Sequence, residues 1–273
     1  METIITLTTD FGVEDGYVAA LKGVIMGINP RAAIVDISHH IAAQNIAQGA
    51  FVLMTACPYF PDGTIHVAVV DPEVGSERRA IILKAQKAVF IGPDNGVLSY
   101  AALQASSQVR ARGRLLGELP PGLECFEITN PRYWRHPVSP TFHGRDIFAP
   151  VAAHISTGVP LREFGGAVSA IHLLPFPEPE ALEGGELVGH VLHIDHFGNI
   201  ITDIQGEDLS PEKSLLEVGE WQIKCLGRMY AEANGLTALI GSSGYLEIAL
   251  KNGSAARLLA INIGGRVRVV RDS

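Results

Sequence analysis

The stretch VDPEVGSERRA, Val70 to Ala80, places a carboxylate, Asp71, ahead of two guanidinium groups, Arg78 and Arg79, with a Pro-Glu-Val-Gly-Ser turn between them. That turn can fold Arg78 back onto Asp71. An Asp–Arg pair taken out of water is costly unless well hydrogen-bonded, so at a strand mouth it reads as a structural salt bridge or as a site of reaction. In SPTFHGRDIFAPVAAHI, Ser139 to Ile155, Phe142, His143 and Gly144 precede an amphipathic helix. A histidine in a Gly-flanked loop is less often a satisfied core residue than one in mid-helix. His143 is therefore a candidate for chemistry and Phe142 a candidate substrate contact, while Arg145 and Asp146 read as an N-cap region. In TTDFG and the following VEDGY, Asp10 ends a strand and Asp15 follows the turn. Such a pair of acids can hold a metal, cap a helix or grip a sugar.

Other polar residues gather at predicted strand ends: Asp36 with Ser38, His39 and His40, and the loop Asp94-Asn95-Gly96. Each alone reads as a cap or an Asx-turn. Together they outline a site, because open α/β sheets bind ligands outside the carboxyl ends of their strands. Further along, IDHFGNIITDI sets Asp195, Phe197, Gly198 and Asn199 in one tight turn. Asn199 can meet an amide-like edge such as adenine with a donor and an acceptor. Phe197 can stack on a flat ring or be the buried aromatic of a hairpin. GSSGYLEIALKNGSAARLL offers Ser242 and Ser243 before a strand.

These residues need a scaffold, and the first half alternates strand and helix patterns. Strands are expected over Ile4–Thr9, Ala33–Ile37 and Thr64–Val70, with a hairpin from Ala80–Leu83 and Ala88–Ile91. Helices are expected over Asp15–Ile28, Asn45–Tyr59, Val97–Leu103 and Arg145–Ser156. This is an α/β domain with a mostly parallel sheet, residues 1–171. The Pro-, Glu- and Gly-rich stretch 172–185 reads as a linker. Short strand-like segments follow: Leu187–Ile194, Asn199–Ile204, Leu215–Cys225, Ala238–Ile240, Tyr245–Leu250 and Arg266–Val270. They predict a smaller C-terminal antiparallel domain, barrel-like or sandwich-like, over 186–273.

Composition narrows the partners. The net charge is −8, from 21 Lys+Arg against 29 Asp+Glu, and no basic cluster stands out. Nucleic acid, which needs concentrated Lys and Arg, is not an expected partner. The three cysteines, Cys57, Cys125 and Cys225, are far apart. They suit neither a disulfide framework nor a zinc site, and read as small hydrophobes in a reducing cytosol. No apolar run approaches the roughly 20 residues needed to span a bilayer, and no basic segment precedes the first strand. A cytoplasmic location is expected.

Taken in order, TTDFG…DGYVAALKGVI, VDISHHI, VDPEVGSERRA, GPDNGVLS, TFHGRDIFAPVAAHI, IDHFGNIITDI and SSGYLEIA resemble the S-adenosylmethionine hydroxide adenosyltransferase family. These are the adenosine-forming S-adenosylmethionine hydrolases, relatives of the fluorinase and chlorinase. The resemblance implies an N-terminal α/β domain, a C-terminal β-barrel-like domain, and a homotrimer with active sites between the N-domain of one subunit and the C-domain of the next. It implies the conversion of S-adenosylmethionine and water to adenosine and L-methionine, with no metal and no cofactor. It assigns the reaction to Asp71, Arg78 and His143, and the ribose hydroxyls to Asp10. Asp195 would meet the methionine amino group, Phe197 and Asn199 the adenine, and Ser242 the methionine carboxylate. The halogenating relatives carry a Tyr where Asp71 stands and a halide-binding Ser where Gly144 stands, which argues against halide chemistry here. Gln44 replaces an aromatic near the sugar, and Ser243 replaces an Arg of the fluorinase.

Arg78 cannot serve as a base, because a guanidinium stays protonated. It would position Asp71 and stabilise charge on the attacking oxygen, leaving Asp71 or His143 to take the proton. Rival readings are a halogenase, a metal-dependent phosphohydrolase built on Asp10, Asp15, Asp71, His39 and His143, and a non-catalytic sensor of S-adenosylmethionine or adenosine.

Overall fold

The mostly β-branched run IITLTT forms strand β1, Ile4–Thr9, which is buried along nearly its whole length. It lies between two parallel neighbours, β2 (Ala33–Ser38) and β3 (Thr64–Val69), and β3 pairs in parallel with β5 (Ala88–Pro93). The computed structural model describes residues 2–105, 115–119, 121–182, 186–209, 214–224 and 235–271, and separates into two units, Met1–Phe176 and Pro177–Ser273.

In the first unit β4 (Ala80–Lys84), β7 (Glu124–Glu127) and β8 (Ala167–Val168) extend the sheet antiparallel, giving the order β2-β1-β3-β5-β4-β7-β8. β6 (Leu115–Glu118) and β9 (Ala170–Leu173) form a separate two-stranded sheet. The sheet is covered on both faces, as β3 shows. Val67 and Val69 enter one core with Leu7, Leu21 and Phe148, while Ala68 and Val70 enter the other with Leu53 and Phe90. This is the period-two alternation of a strand buried on both sides.

The topology explains why polar loops meet at one edge. The parallel strands β1, β2, β3 and β5 end there, delivering Asp10, His39, Asp71 and Asp94. β4 runs the other way, with Ala80 opposite Pro93, so its start brings Arg78 and Arg79 to the same edge.

Helix α1 (Tyr17–Ile28) buries Val18, Leu21 and Ile25; its N-cap is Gly16, with no side-chain cap, and Asp15 stays exposed beyond the helix. Helix α2 (Ile46–Ala56) begins at Asn45, whose side chain accepts from Gln48 N, and continues into a 3₁₀ turn at Cys57–Tyr59. Helix α3 covers Ser99–Ala105. The helix expected over Arg145–Ser156 is two structures: a π-helical turn, Gly144–Phe148, and then α4, Ala149–Ser156. Asp146 is not an N-cap there, because it lies inside the π turn and is wholly buried.

The stretch 172–185 is not free chain over its first part. Leu174 N donates to Ser99 Oγ, Tyr100 Oη donates to Pro175 O, and Phe176 packs edge-on against Tyr100.

The second unit contains β10 (Glu180–Ala181), β11 (Leu187–Ile194), β12 (Ile200–Gln205), β13 (Ser214–Val218), β14 (Trp221–Lys224), β15 (Leu236–Ile240), β16 (Tyr245–Leu250), the short helix α5 (Ala255–Leu258) and β17 (Arg266–Arg271). They form an antiparallel sheet in the order β14-β13-β17-β11-β12-β16-β15, with β10 added on β11. β14 approaches β15, so the sheet is nearly closed into a barrel around Ile200, Leu216, Leu246 and Val267. The single strand expected over Leu215–Cys225 is a hairpin, β13 and β14, because Gly219 adopts φ 58° and lets the chain reverse between Val218 and Trp221. Cys225 lies outside the described residues. Burial raises the Cys57 thiol to about 11, and burial with the Asp94 charge raises Cys125 to about 12. Both are unreactive at neutral pH.

Candidate active site

The Pro72–Glu77 turn folds Arg78 back onto Asp71. Arg78 Nε donates to both Asp71 oxygens at 3.0 and 3.1 Å, and Nη2 donates to Oδ2 at 2.5 Å. Both side chains are almost fully buried, at 6% and 5% exposure, so this pair lies far from the regime of a screened surface bridge. Arg78 Nη2 also lies 2.8 Å from His143 Nδ1, and the guanidinium sits over the Phe148 ring at 5.4 Å. The structure therefore brings Asp71, Arg78 and His143 into one cluster. Gly75 makes the approach possible: it adopts φ 82°, and a Cβ there would run into Pro140 O, just ahead of the His143 loop.

His143 is half-buried. Burial and the Arg78 cation hold its imidazole below the ordinary value of 6.5, against the opposing pull of Asp71 and Asp146. Phe142 packs edge-on against Phe11 and Tyr17, with ring centroids 5.8 and 5.2 Å away. Gly144 is buried, and a Cβ on it would lie 3.2 Å from the Phe11 ring, so Phe11 must yield to any side chain at that position.

Asp10 stands at the end of β1, and its Oδ2 accepts from Gln44 N at 2.8 Å. Gln44 adopts φ 65°, a left-handed conformation that a non-glycine residue adopts only at a cost. The backbone of Gln44, not its side chain, thus serves the site edge. Nearby, His39 Nδ1 pairs with Thr9 Oγ1 at 2.8 Å and Nε2 lies 3.1 Å from Asp36 Oδ1, while Lys22 donates to Asp36. Burial pushes the Asp36 carboxyl up, but Lys22 and His39 outweigh it and leave it below the usual carboxylate value. Asp36 and His39 are engaged with each other and do not join the Asp71 cluster. Among the described residues, no three His, Cys, Asp or Glu side chains converge as a metal-binding group.

In the second unit Asp195 organises its own loop. Oδ1 accepts from Phe197 N and Asn199 N at 2.9 and 2.8 Å, and Oδ2 accepts from Asn199 Nδ2 at 2.9 Å. Gly198, at φ 82°, lies so close to Ser254 that no Cβ fits between them. Phe197 is left 74% exposed, which excludes the buried-hairpin alternative. A cavity of about 720 Å³ is lined by Asp195, Phe197, Asn199, Asn252, Ser254 and Arg257. An adjoining one of about 510 Å³ shares Asp195, Phe197 and Asn199 and adds Ser242, Thr237 and Glu247.

Four candidates from the sequence therefore share one cavity system. Asn252, Ser254 and Arg257 were not singled out. The Asn-Gly-Ser turn before Ala255 was the available signal, since Ser254 caps α5 by accepting from Arg257 N.

An α/β unit with a buried Asp–Arg pair and an adjoining His at its strand ends, followed by a barrel-like unit with a polar and aromatic cavity, is the make-up of an enzyme acting on a small molecule. The chain belongs to the SAM hydroxide adenosyltransferase family: the N-terminal domain description matches residues 5–165 and the C-terminal one residues 189–268. It is 39% identical over 267 residues to the (R)-S-adenosyl-L-methionine hydrolase of Salinispora tropica, covering 97% of each chain. It is 36% identical to the protein of the same name from Methanocaldococcus jannaschii, covering 98% of this chain and 95% of the other. A fluorinase from an Actinoplanes species is 30% identical over 76% of this chain and 73% of its own. The crystal structure of an uncharacterized conserved protein from Thermotoga maritima superposes with a TM-score of 0.86 at 32% identity, covering 98% of this chain and all of that one.

Proposed function

We propose that this protein hydrolyses (R)-S-adenosyl-L-methionine to adenosine and L-methionine. The observation that carries the reading is the buried Asp71–Arg78 pair with His143 against it, with hydrolases among its relatives. In the reaction the oxygen of water attacks the 5′ carbon, the carbon–sulfur bond breaks, and sulfur leaves with the bonding pair as a neutral thioether. One proton is released from the water.

The donor inventory apportions the roles. A guanidinium only donates, so the contact between Arg78 Nη2 and His143 Nδ1 makes Nδ1 the acceptor. The imidazole is then neutral with its proton on Nε2, in keeping with its lowered proton affinity. Its free edge offers a donor that can orient water, and its one lone pair is already taken. Asp71 keeps acceptor capacity beyond its bonds to Arg78, which makes it the better proton acceptor. Arg78 fixes Asp71 and stabilises charge on the attacking oxygen.

Within the same proposal Asp10 accepts from the ribose hydroxyls and Phe142 contributes an apolar wall. Asp195 meets the methionine amino group, Phe197 and Asn199 the adenine, and Ser242 the methionine carboxylate. With one Asn199 Nδ2 hydrogen given to Asp195, its carbonyl and its second N–H are left for the adenine edge. A homotrimer acting without metal or cofactor completes the proposal.

The test is incubation with S-adenosylmethionine, with and without chloride and with and without a strong chelator, followed by chromatography of the nucleosides. Adenosine in all four conditions supports the hydrolase. A 5′-chlorinated nucleoside would indicate a halogenase, loss of activity with chelator a metallohydrolase, and intact substrate a sensor.

A further inference from the structure

Asp146 lies three residues beyond His143 in the π-helical turn and is wholly buried. Its carboxylate takes four hydrogen bonds: Oδ1 from Arg145 Nε at 2.7 Å and Arg135 Nη1 at 3.1 Å, and Oδ2 from Arg145 Nη2 at 2.7 Å and Ser139 N at 2.9 Å. Its backbone is used as well, since Asp146 N donates to Phe142 O and Arg135 N donates to Asp146 O. The loop 139–146 is therefore closed on itself at Asp146, with His143 inside the closure. Arg145 also lies over the Phe142 ring at 4.9 Å, which pins the residue before His143.

We propose that Asp146, together with Arg135 and Arg145, is the positioning unit that presents His143 to Arg78, an inference that rests on the reading of His143 as part of the reaction. A helix cap needs one acceptor and sits near water. Here a carboxylate is buried and two guanidinium groups are recruited to hold it, an arrangement whose cost is offset only if the geometry it fixes matters. A π turn inserted ahead of a helix is itself frequent at functional sites. Burial pushes the Asp146 carboxyl up, but the bonds from Arg145, Ser139 N and Arg135 outweigh it and keep it ionised.

The unit also sets the field at the imidazole. The charged groups facing His143 are Arg78 from the start of β4, Asp71 from the end of β3, and Asp146 from its own turn, with Arg135 and Arg145 behind Asp146. Removing the Asp146 charge leaves two guanidinium groups without their counter-charge, so His143 should bind its proton still less readily.

The test uses the full chain with isotope-labelled histidine, assigning His143 through His143→Gln. In Asp146→Asn the His143 titration midpoint should move to lower pH, and kcat should fall on the order of 10- to 100-fold with KM little changed. Asp146→Glu should restore both part-way. If Asp146→Asn does not fold, Arg145→Lys keeps the charge but loses the fork, and kcat should fall several-fold. A folded Asp146→Asn, or an Arg145→Lys, with wild-type midpoint and wild-type turnover overturns the proposal. A shifted midpoint with unchanged turnover shows that Asp146 sets only the field at His143 and overturns the positioning role.

Discussion

Arg78 and Arg79 are neighbours in the chain, and each heads a cluster of one Asp and one His, yet the two clusters differ in what they hold. Arg78 meets Asp71 and His143 on the side of the sheet that carries Phe148. Arg79 meets Asp94 by Nε at 3.0 Å and Nη2 at 2.5 Å, and its Nη2 also donates to Ala170 O in β9. Asp94 accepts in addition from His172 N at 2.7 Å, and His172 Nδ1 lies 3.2 Å from it. The second cluster thus ties the end of β5 to the start of β4 and to β9, using backbone groups of secondary structure. Among the described residues the Asp71 carboxylate is bonded by Arg78 alone. The same three residue types make a latch where backbone groups saturate them, and a candidate site where capacity remains.

The largest expected effect separates the two aspartates. Asp71→Asn should lower kcat by about 10²- to 10⁴-fold, the usual contribution of a positioned acid or base, with adenosine affinity retained. Steady-state kinetics and adenosine titration check it. Asp94→Asn should leave turnover per folded molecule near wild type but cost about 3 kcal/mol of stability, as expected when one partner of a buried pair is lost. Denaturant titration of the two variants measures the contrast, and equal losses of turnover would erase it.

Next comes the pair of conservative changes. Arg78→Lys gives up the forked contact with Asp71 and the contact with His143, and should lower kcat roughly 10- to 100-fold. Arg79→Lys should change it less than about twofold while lowering the melting temperature by a few degrees.

The smallest effect near neutrality is in pH. Burial and the Arg78 cation lower the proton affinity of His143, so it keeps its neutral form to lower pH than an ordinary imidazole. Protonation at Nδ1 would oppose Arg78 and break the contact, so turnover should persist to lower pH than an ordinary imidazole allows and be lost as pH falls through the folded value. The first unit should lose stability over the same direction of pH. Burial lowers His66 from 6.5 to about 4, so the unfolded chain binds the proton more readily between these values. The loss should reach ~3 kcal/mol by pH 4. Acid titration of wild type and His66→Gln, followed by circular dichroism, isolates this contribution.

The sequence made much of this legible because its signals were local. Strands such as Tyr245–Leu250 and the fold class of both units followed from periodicity and punctuation, and the Asp71–Arg78 contact followed from one short turn. What could not be read depended on distant or backbone partners. Arg79 carries no local signal of its latch, because Ala170, whose carbonyl accepts from it, and His172, whose N–H donates to Asp94, lie some ninety residues on. Asp146 resembled a cap because the π turn that buries it leaves no mark in an amphipathic pattern. Gln44 looked like a lost aromatic, and its contribution is an N–H held by an uncommon φ.

The central claim is that this chain joins a water oxygen to the 5′ carbon of S-adenosylmethionine at the Asp71–Arg78–His143 cluster. Turnover in oxygen-18 water, with mass spectrometry of the isolated nucleoside, tests it directly. The account predicts adenosine carrying one heavy oxygen on its 5′ carbon from the wild type, and at least a hundredfold less of it from Asp71→Asn. Adenosine without the label, or labelled product formed equally fast by Asp71→Asn, would contradict it.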